Sequence, residues 1–196
     1  MALAAEALGR GELIVYPTDT LYALGCRARD PVAVERLRGA KGREDQKPLP
    51  LVAEDAAQAK LLCSKWPEAA DRLAEAFWPG PLTLVLPAAE GVPVGVTAGS
   101  GTVAVRVPAL LLARELCRAS GPLVATSANL AGAPAPLTCA EAVSGLGDLV
   151  RLALDAGPGS PVPSTLVALT EGGARLLREG AVPWAKVAAF LGALRP

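Results

Sequence analysis

Residues 102–129 read Thr102-Val-Ala-Val-Arg-Val-Pro108, then Ala109-Leu-Leu-Leu-Ala-Arg-Glu-Leu-Cys-Arg-Ala-Ser-Gly121, then Pro122-Leu-Val-Ala-Thr-Ser-Ala-Asn129. The first piece is apolar and β-branched, so Thr102 to Val107 is expected as a strand. Pro108 opens a helix over Ala109 to Ala119, and Pro122 to Thr126 returns as a second strand. A strand, a helix and a strand within so short a stretch point to an α/β domain.

Outward from this unit the alternation continues. A short helix from Met1 to Arg10, stopped by Gly9 and Gly11, precedes a strand at Glu12 to Tyr16 that Pro17 breaks. Asp30 caps a helix with Pro31 in its first position, running through Val34 and Leu37 to Gly39. A strand at Leu49 to Ala53 leads into a helix starting near Asp55. A longer helix from Pro67 to Trp78 stops at Pro79-Gly80-Pro81, and Leu82 to Leu86 is strand. Thr138-Cys-Ala-Glu141 is a capping-box pattern that starts another helix. Strands near Leu149 to Leu154, Thr165 to Leu169 and Arg175 to Arg178, then a helix from Pro183 to Leu194, complete the chain. Strands outnumber those of a simple βαβ repeat, so the expected sheet is mixed rather than parallel. No linker or internal repeat divides residues 1–196, which are expected as a single domain.

Composition narrows the chemistry. With 52% hydrophobic and 19% charged residues among 196, the chain can bury a sizeable core. It contains no histidine, which excludes Ser-His-Asp, Cys-His and His-metal chemistry. Cys26, Cys63, Cys117 and Cys139 form no CxxC pair, so they are expected as small buried apolar side chains rather than zinc or redox ligands. The N-terminus lacks a basic leader, and no apolar run nears the roughly 20 residues needed to span a bilayer. A soluble, cytoplasmic protein with no membrane partner is expected. The 19 Lys+Arg balance 19 Asp+Glu, against nucleic-acid binding through bulk charge. The basic residues nonetheless cluster at Arg36, Arg38, Lys41, Arg43 and Lys47.

Several segments carry chemistry. A Walker pattern is absent, and Gly99-Ser-Gly101-Thr-Val-Ala104 matches the letters of a dinucleotide GxGxxA but leads into a strand rather than a helix, so its context gives no dinucleotide site. Pro17-Thr-Asp-Thr-Leu-Tyr22 lies just beyond a strand end, where α/β proteins place ligand contacts; it serves a polar substrate or forms a hydrogen-bonded turn. Lys41-Gly-Arg43 with Lys47-Pro-Leu-Pro50 is a phosphate clamp or a solvated loop. Ala125-Thr-Ser-Ala-Asn129 offers hydroxyl and amide groups for a purine edge or a carboxylate, or makes an ordinary turn. Arg106, inside an apolar strand, needs an anionic partner, either a ligand or a protein carboxylate.

Taken in order, Pro-Thr-Asp-Thr-Leu-Tyr from Pro17, Lys-Gly-Arg and Lys-Pro-Leu from Lys41, Pro-Gly-Pro-Leu-Thr from Pro79, Val-Ala-Val-Arg-Val-Pro from Val103, Thr-Ser-Ala-Asn from Thr126, Pro-Ser-Thr from Pro163 and Arg-Glu-Gly from Arg178 resemble the YrdC-like family of threonylcarbamoyl-AMP synthases. The resemblance spans roughly Gly11 to Gly180 and implies a twisted open mixed sheet, flanked by helices, with a large concave face. It implies the single-domain form of the family and a reaction in which L-threonine, bicarbonate or CO2, and ATP with Mg2+ yield threonylcarbamoyl-adenylate and pyrophosphate. Downstream tRNA threonylcarbamoyl-transfer proteins then use the product to modify adenosine 37. By the same resemblance, Thr20, Arg106, Thr126 and Ser164 hold threonine; Lys41, Arg43, Lys47 and Arg178 surround the phosphates; and Ser127, Ala128 and Asn129 line the nucleotide pocket. Lys41 and Arg43 are the expected transition-state stabilisers, with no protein-held metal. The chain departs from the family pattern at Ala23, Glu44 and Val52. Alternatives within the same fold are a carbamoyl-adenylate-forming enzyme and a double-stranded RNA or tRNA-binding module, which would leave weak RNA binding. On this reading Arg106→Ala weakens threonine binding with little effect on folding.

Overall fold

The computed structural model describes residues 1–42 and 47–192. Its helices are α1 (Ala2–Gly9), α2 (Pro31–Ala40), α3 (Ala56–Lys60), α4 (Glu68–Phe77), α5 (Val94–Thr97), α6 (Leu111–Ser120), α7 (Cys139–Leu146) and α8 (Trp184–Gly192). Its strands are β1 (Ile14–Tyr16), β2 (Ala23–Gly25), β3 (Pro50–Val52), β4 (Leu82–Pro87), β5 (Thr102–Arg106), β6 (Leu123–Val124), β7 (Thr126–Ser127), β8 (Leu152–Ala153), β9 (Thr165–Thr170) and β10 (Gly173–Arg178). The local signals hold where side chains satisfy helix ends. Asp30 accepts from the Val32 and Ala33 amides at the start of α2, and Thr138 and Glu141 form both halves of the capping box of α7.

The strands make two open mixed sheets. One has four strands in the order β7-β2-β1-β8, and the other has six in the order β10-β9-β4-β5-β3-β6. In the larger sheet β4 pairs antiparallel to β5 and parallel to β9, while β3 pairs parallel to β5 and antiparallel to β6. The run Pro122 to Thr126, expected as one strand, divides at Ala125: β6 lies beside β3 in the larger sheet, and β7 lies beside β2 in the smaller. Val124 donates to the Cys26 carbonyl and Ala125 to the Pro50 carbonyl, so the backbone is shared between both sheets where it crosses. The Tyr16 hydroxyl donates to the Val124 carbonyl at 2.8 Å across the same seam. Gly25 closes it, because a Cβ there would overlap the Val124 carbonyl and the Tyr16 ring.

Alternation along the strands determines which side chains face the site. Leu82, Leu84 and Leu86 of β4 pack in an apolar cluster with α4 and α8 residues, while Thr83 and Val85 face the opposite way. In β5, Val103 and Val105 enter the main core, and Thr102, Ala104 and Arg106 lie on the open face. A third cluster packs Ala4, Leu8, Ala113 and Leu116 of α1 and α6 against Ile14 and Tyr16.

All four cysteines are free, and Cys26 and Cys117 are fully buried. Burial pushes the Cys26, Cys63 and Cys117 thiols up to about 12. These raised values mean that the native state keeps protons which the unfolded chain releases near pH 8.5. The contribution of these thiols to native stability is therefore expected to be constant below about pH 8.5 and to be lost as pH rises from there toward 12. Denaturant unfolding at pH 8 and pH 10 checks this, and a thiol reagent at pH 8 should label the cysteines slowly until the chain unfolds. Among the described residues no helix is long and apolar enough to cross a membrane.

Candidate functional site

A cavity of about 490 Å3 opens between the β2/β7 end of the smaller sheet and the Thr83/Ala104 face of the larger. Its wall carries the cations Lys47, Arg106 and Arg178 and hydroxyls from Thr18, Thr20, Thr126 and Ser164, with no carboxylate among the described lining residues. Val52, Val85 and Leu166 add an apolar floor. A cation-rich, hydroxyl-lined pocket with some apolar wall suits a polyanionic ligand carrying an apolar or heterocyclic part.

Arg106 stands at the end of β5. Its Nη1 donates to Asp19 Oδ1 at 2.8 Å and its Nη2 to Thr20 Oγ1 at 2.8 Å. The Arg106 and Asp19 side chains are only 7% and 14% exposed, so the charge inside the strand has a protein partner while its guanidinium still lines the cavity. Of the two partners left open by the sequence, the structure supplies the protein carboxylate, Asp19. On the neighbouring strands of the same sheet Ser164 Oγ lies 2.8 Å from Thr83 Oγ1, and Arg178 donates through Nη2 to the Ser164 carbonyl at 2.8 Å. Desolvation, then repulsion from Arg106, lowers the Arg178 pKa, as expected where two guanidiniums share one site. Gly180 permits this wall: a Cβ there would overlap the Pro163 carbonyl and the Ser164 backbone.

The expected site residues separate into three groups. Thr20, Lys47, Arg106, Thr126, Ser127, Ser164 and Arg178 come together on the cavity. Lys41, Ala128 and Asn129 do not line it. Lys41 is 1% exposed, and its Nζ donates to the Ser127 carbonyl at 2.7 Å, to the Asn129 carbonyl, and to Asn129 Oδ1 at 3.2 Å. Asn129 Nδ2 in turn donates to the Leu130 carbonyl at 3.0 Å and to the Ala133 carbonyl, so it pins the loop beyond β7. Ala128 packs in the core and donates its N–H to the Tyr22 carbonyl. Arg43 and Glu44 lie outside the described residues. Of the departures from the family pattern, Ala23 and Val52 both border the cavity.

Sequence reasoning assigned no role to Asp19 or Thr83. Asp19 was legible as part of the Pro17–Tyr22 segment, but its partner lies 87 positions away. Thr83 inside an apolar strand carries a weaker form of the signal that singled out Arg106.

Comparison with known proteins gives a consistent result. The Sua5/YciO/YrdC family model, described as "Telomere recombination", matches residues 6–180. A "Threonylcarbamoyl-AMP synthase" of Pyrococcus abyssi is 40% identical over 195 residues, covering 98% of this chain and 57% of that protein. A "Putative threonylcarbamoyl-AMP synthase" of Mycobacterium tuberculosis is 40% identical over 190 residues, covering 96% and 88% respectively. The crystal structure of P. abyssi Sua5 complexed with L-threonine superposes with a TM-score of 0.93 at 39% identity, over 97% of this chain and 56% of that one. The chain thus spans little more than half the length of its archaeal relative and most of its mycobacterial one.

Proposed function

This chain belongs to the Sua5/YciO/YrdC family, and from that premise we propose that it joins L-threonine, bicarbonate or CO2, and ATP into threonylcarbamoyl-adenylate, releasing pyrophosphate. The observation that carries the reading is one cavity holding three cations, a ring of hydroxyls and no lining carboxylate among the described residues, in a fold shared with a threonine-bound relative.

The chemistry asks little of proton-transfer groups. The free amine of threonine adds to the carbon of CO2 and loses a proton, giving a carbamate. A carbamate oxygen then attacks the α-phosphorus as the bond to pyrophosphate breaks. Such a step needs positioning and cationic stabilisation more than a protein nucleophile. Arg106, Thr20, Thr126 and Ser164 take the amino acid, while Lys47 and Arg178 face the phosphates. Lys41 and Arg43 act on the departing pyrophosphate, and Lys41 must trade at least one carbonyl contact to reach it. Ser127, Ala128 and Asn129 form the nucleotide-side turn. Mg2+ enters as the counter-ion of ATP. Among the described residues no three or more cysteine, aspartate or glutamate side chains gather into a group. The product leaves to proteins that transfer the threonylcarbamoyl group to tRNA in the cytoplasm.

Pyrophosphate release is expected only when threonine, bicarbonate and Mg-ATP are all supplied. Equal release without threonine would sink this reading. No ATP consumption, with steeply salt-dependent tRNA binding, would favour an RNA-binding module.

A further inference from the structure

We propose that Asp19 is a positioning residue, which with the proton order of the adjoining threonines holds Arg106 and Thr20 as a donor–acceptor pair for the carboxylate and amino group of the substrate. The inference rests on the proposed amino-acid substrate and assigns work to a residue outside the cavity wall.

Proton bookkeeping along the Pro17–Leu21 turn supports it. Thr18 Oγ1 lies 2.7 Å from the Leu21 carbonyl, which can only accept, so the single hydroxyl proton of Thr18 is spent there. Thr18 Oγ1 also receives the Thr20 amide at 3.2 Å and lies 3.0 Å from Thr20 Oγ1. With no proton left on Thr18, the Thr20 hydroxyl is the donor in that contact. Arg106 Nη2 must donate to Thr20 Oγ1, since a guanidinium has no acceptor. The order is therefore Arg106 to Thr20 to Thr18 to the Leu21 carbonyl. Thr20 is left with one lone pair for the cavity and no proton, so it accepts from a ligand N–H.

Asp19 anchors the other end of this chain. Its Oδ1 takes one Nη1 proton of Arg106, so the two nitrogens at the tip of the guanidinium are held by consecutive residues of one turn. Three of the five guanidinium protons remain for a ligand. The turn is itself fixed, because Ser160 donates its N–H to the Thr20 carbonyl at 2.6 Å. A fixed donor fork beside an acceptor-only oxygen matches an α-amino acid, whose carboxylate and amino group sit on one carbon. Asp19 also offsets one of the two guanidinium charges on the cavity, which keeps Arg106 from swinging toward a phosphate.

The decisive experiment compares Asp19→Ala and Asp19→Asn with the unmodified chain. KM for threonine and for ATP is measured by pyrophosphate release, alongside thermal unfolding and the 15N side-chain signals of Arg106. Asp19→Ala is expected to raise the threonine KM at least tenfold, with the ATP KM within twofold, and to release the restricted rotation of the Arg106 guanidinium. Asparagine keeps an acceptor without the charge, so Asp19→Asn is expected to recover at least half of that loss on a logarithmic scale. Were Asp19→Ala to fail to fold, Asp19→Asn alone should still raise the threonine KM about threefold. A threonine KM unchanged in the folded variants, or matched by an equal ATP effect, overturns the proposal and leaves Asp19 as part of a structural ion pair. If the unmodified chain consumes no ATP on adding threonine, the reaction fails instead. The Arg106 signals then decide the positioning separately, since unchanged rotation in the folded Asp19 variant overturns it.

Discussion

Arg106→Ala is expected to lower kcat/KM for threonine-dependent pyrophosphate release by at least 100-fold, about 2.7 kcal/mol of transition-state binding. The loss should fall chiefly on the threonine term, because the guanidinium sits at the end of β5 facing Thr20 rather than at the Lys47 side of the cavity. The structure changes what this substitution does to folding. Arg106 is the partner of a nearly buried Asp19 carboxylate, so truncation strands a charge instead of only emptying a ligand contact. An uncompensated buried charge costs about 3–5 kcal/mol when fully enclosed; at 14% exposure, where water reaches the carboxylate, Asp19 should cost about 1–3 kcal/mol. The double variant Arg106→Ala with Asp19→Asn should therefore regain stability without regaining activity. Thermal unfolding and kinetics on the same three proteins check both halves. Full activity in the stable double variant would remove Arg106 from the site.

Lys41→Met should also act in two ways. The ammonium is buried and donates to the main-chain carbonyl oxygens of Ser127 and Asn129 and to the Asn129 side-chain oxygen. Methionine keeps the length of the side chain and removes the donors, so these oxygens lose a charged partner at a cost of about 2–4 kcal/mol. The Ser127–Asn129 turn then loses its anchor, and turnover should drop at least 100-fold with a rise in the ATP KM. If the role of Lys41 is to reach the departing pyrophosphate, kcat falls further than turn disorder alone explains. An unchanged kcat beside a lowered melting temperature would confine Lys41 to holding the turn.

The difference between these two residues shows what could be read from the chain. Arg106 was identifiable because a cation in the run Val103 to Val107 breaks an apolar pattern, and burial of a charge demands a counterpart. Lys41 sits in a basic loop whose pattern is the same for a phosphate clamp and a solvated surface, so its full burial was not legible. Helix ends were read well at Asp30 and Thr138, where a side chain two or three positions away satisfies the first turn. β2, at Ala23–Gly25, escaped because three residues carry no measurable alternation; it exists through pairing with β1 and β7. α5, at Val94–Thr97, is a single turn within a stretch rich in Gly, Pro and Val.

By itself, the sequence determined the α/β alternation, the mixed character of the sheets, the lack of any imidazole, and the inventory of arginine, lysine and hydroxyl groups from which a site had to be built. Those properties follow from periodicity, capping and composition, which act within a few residues. The tertiary structure alone decided that Pro122 to Thr126 serves two sheets, that Asp19 answers Arg106, that Thr83 steadies Ser164, and that Lys41 turns inward to main-chain carbonyls. Each of these depends on which strands and turns become neighbours across about 70 or more positions of chain, and no local preference encodes that.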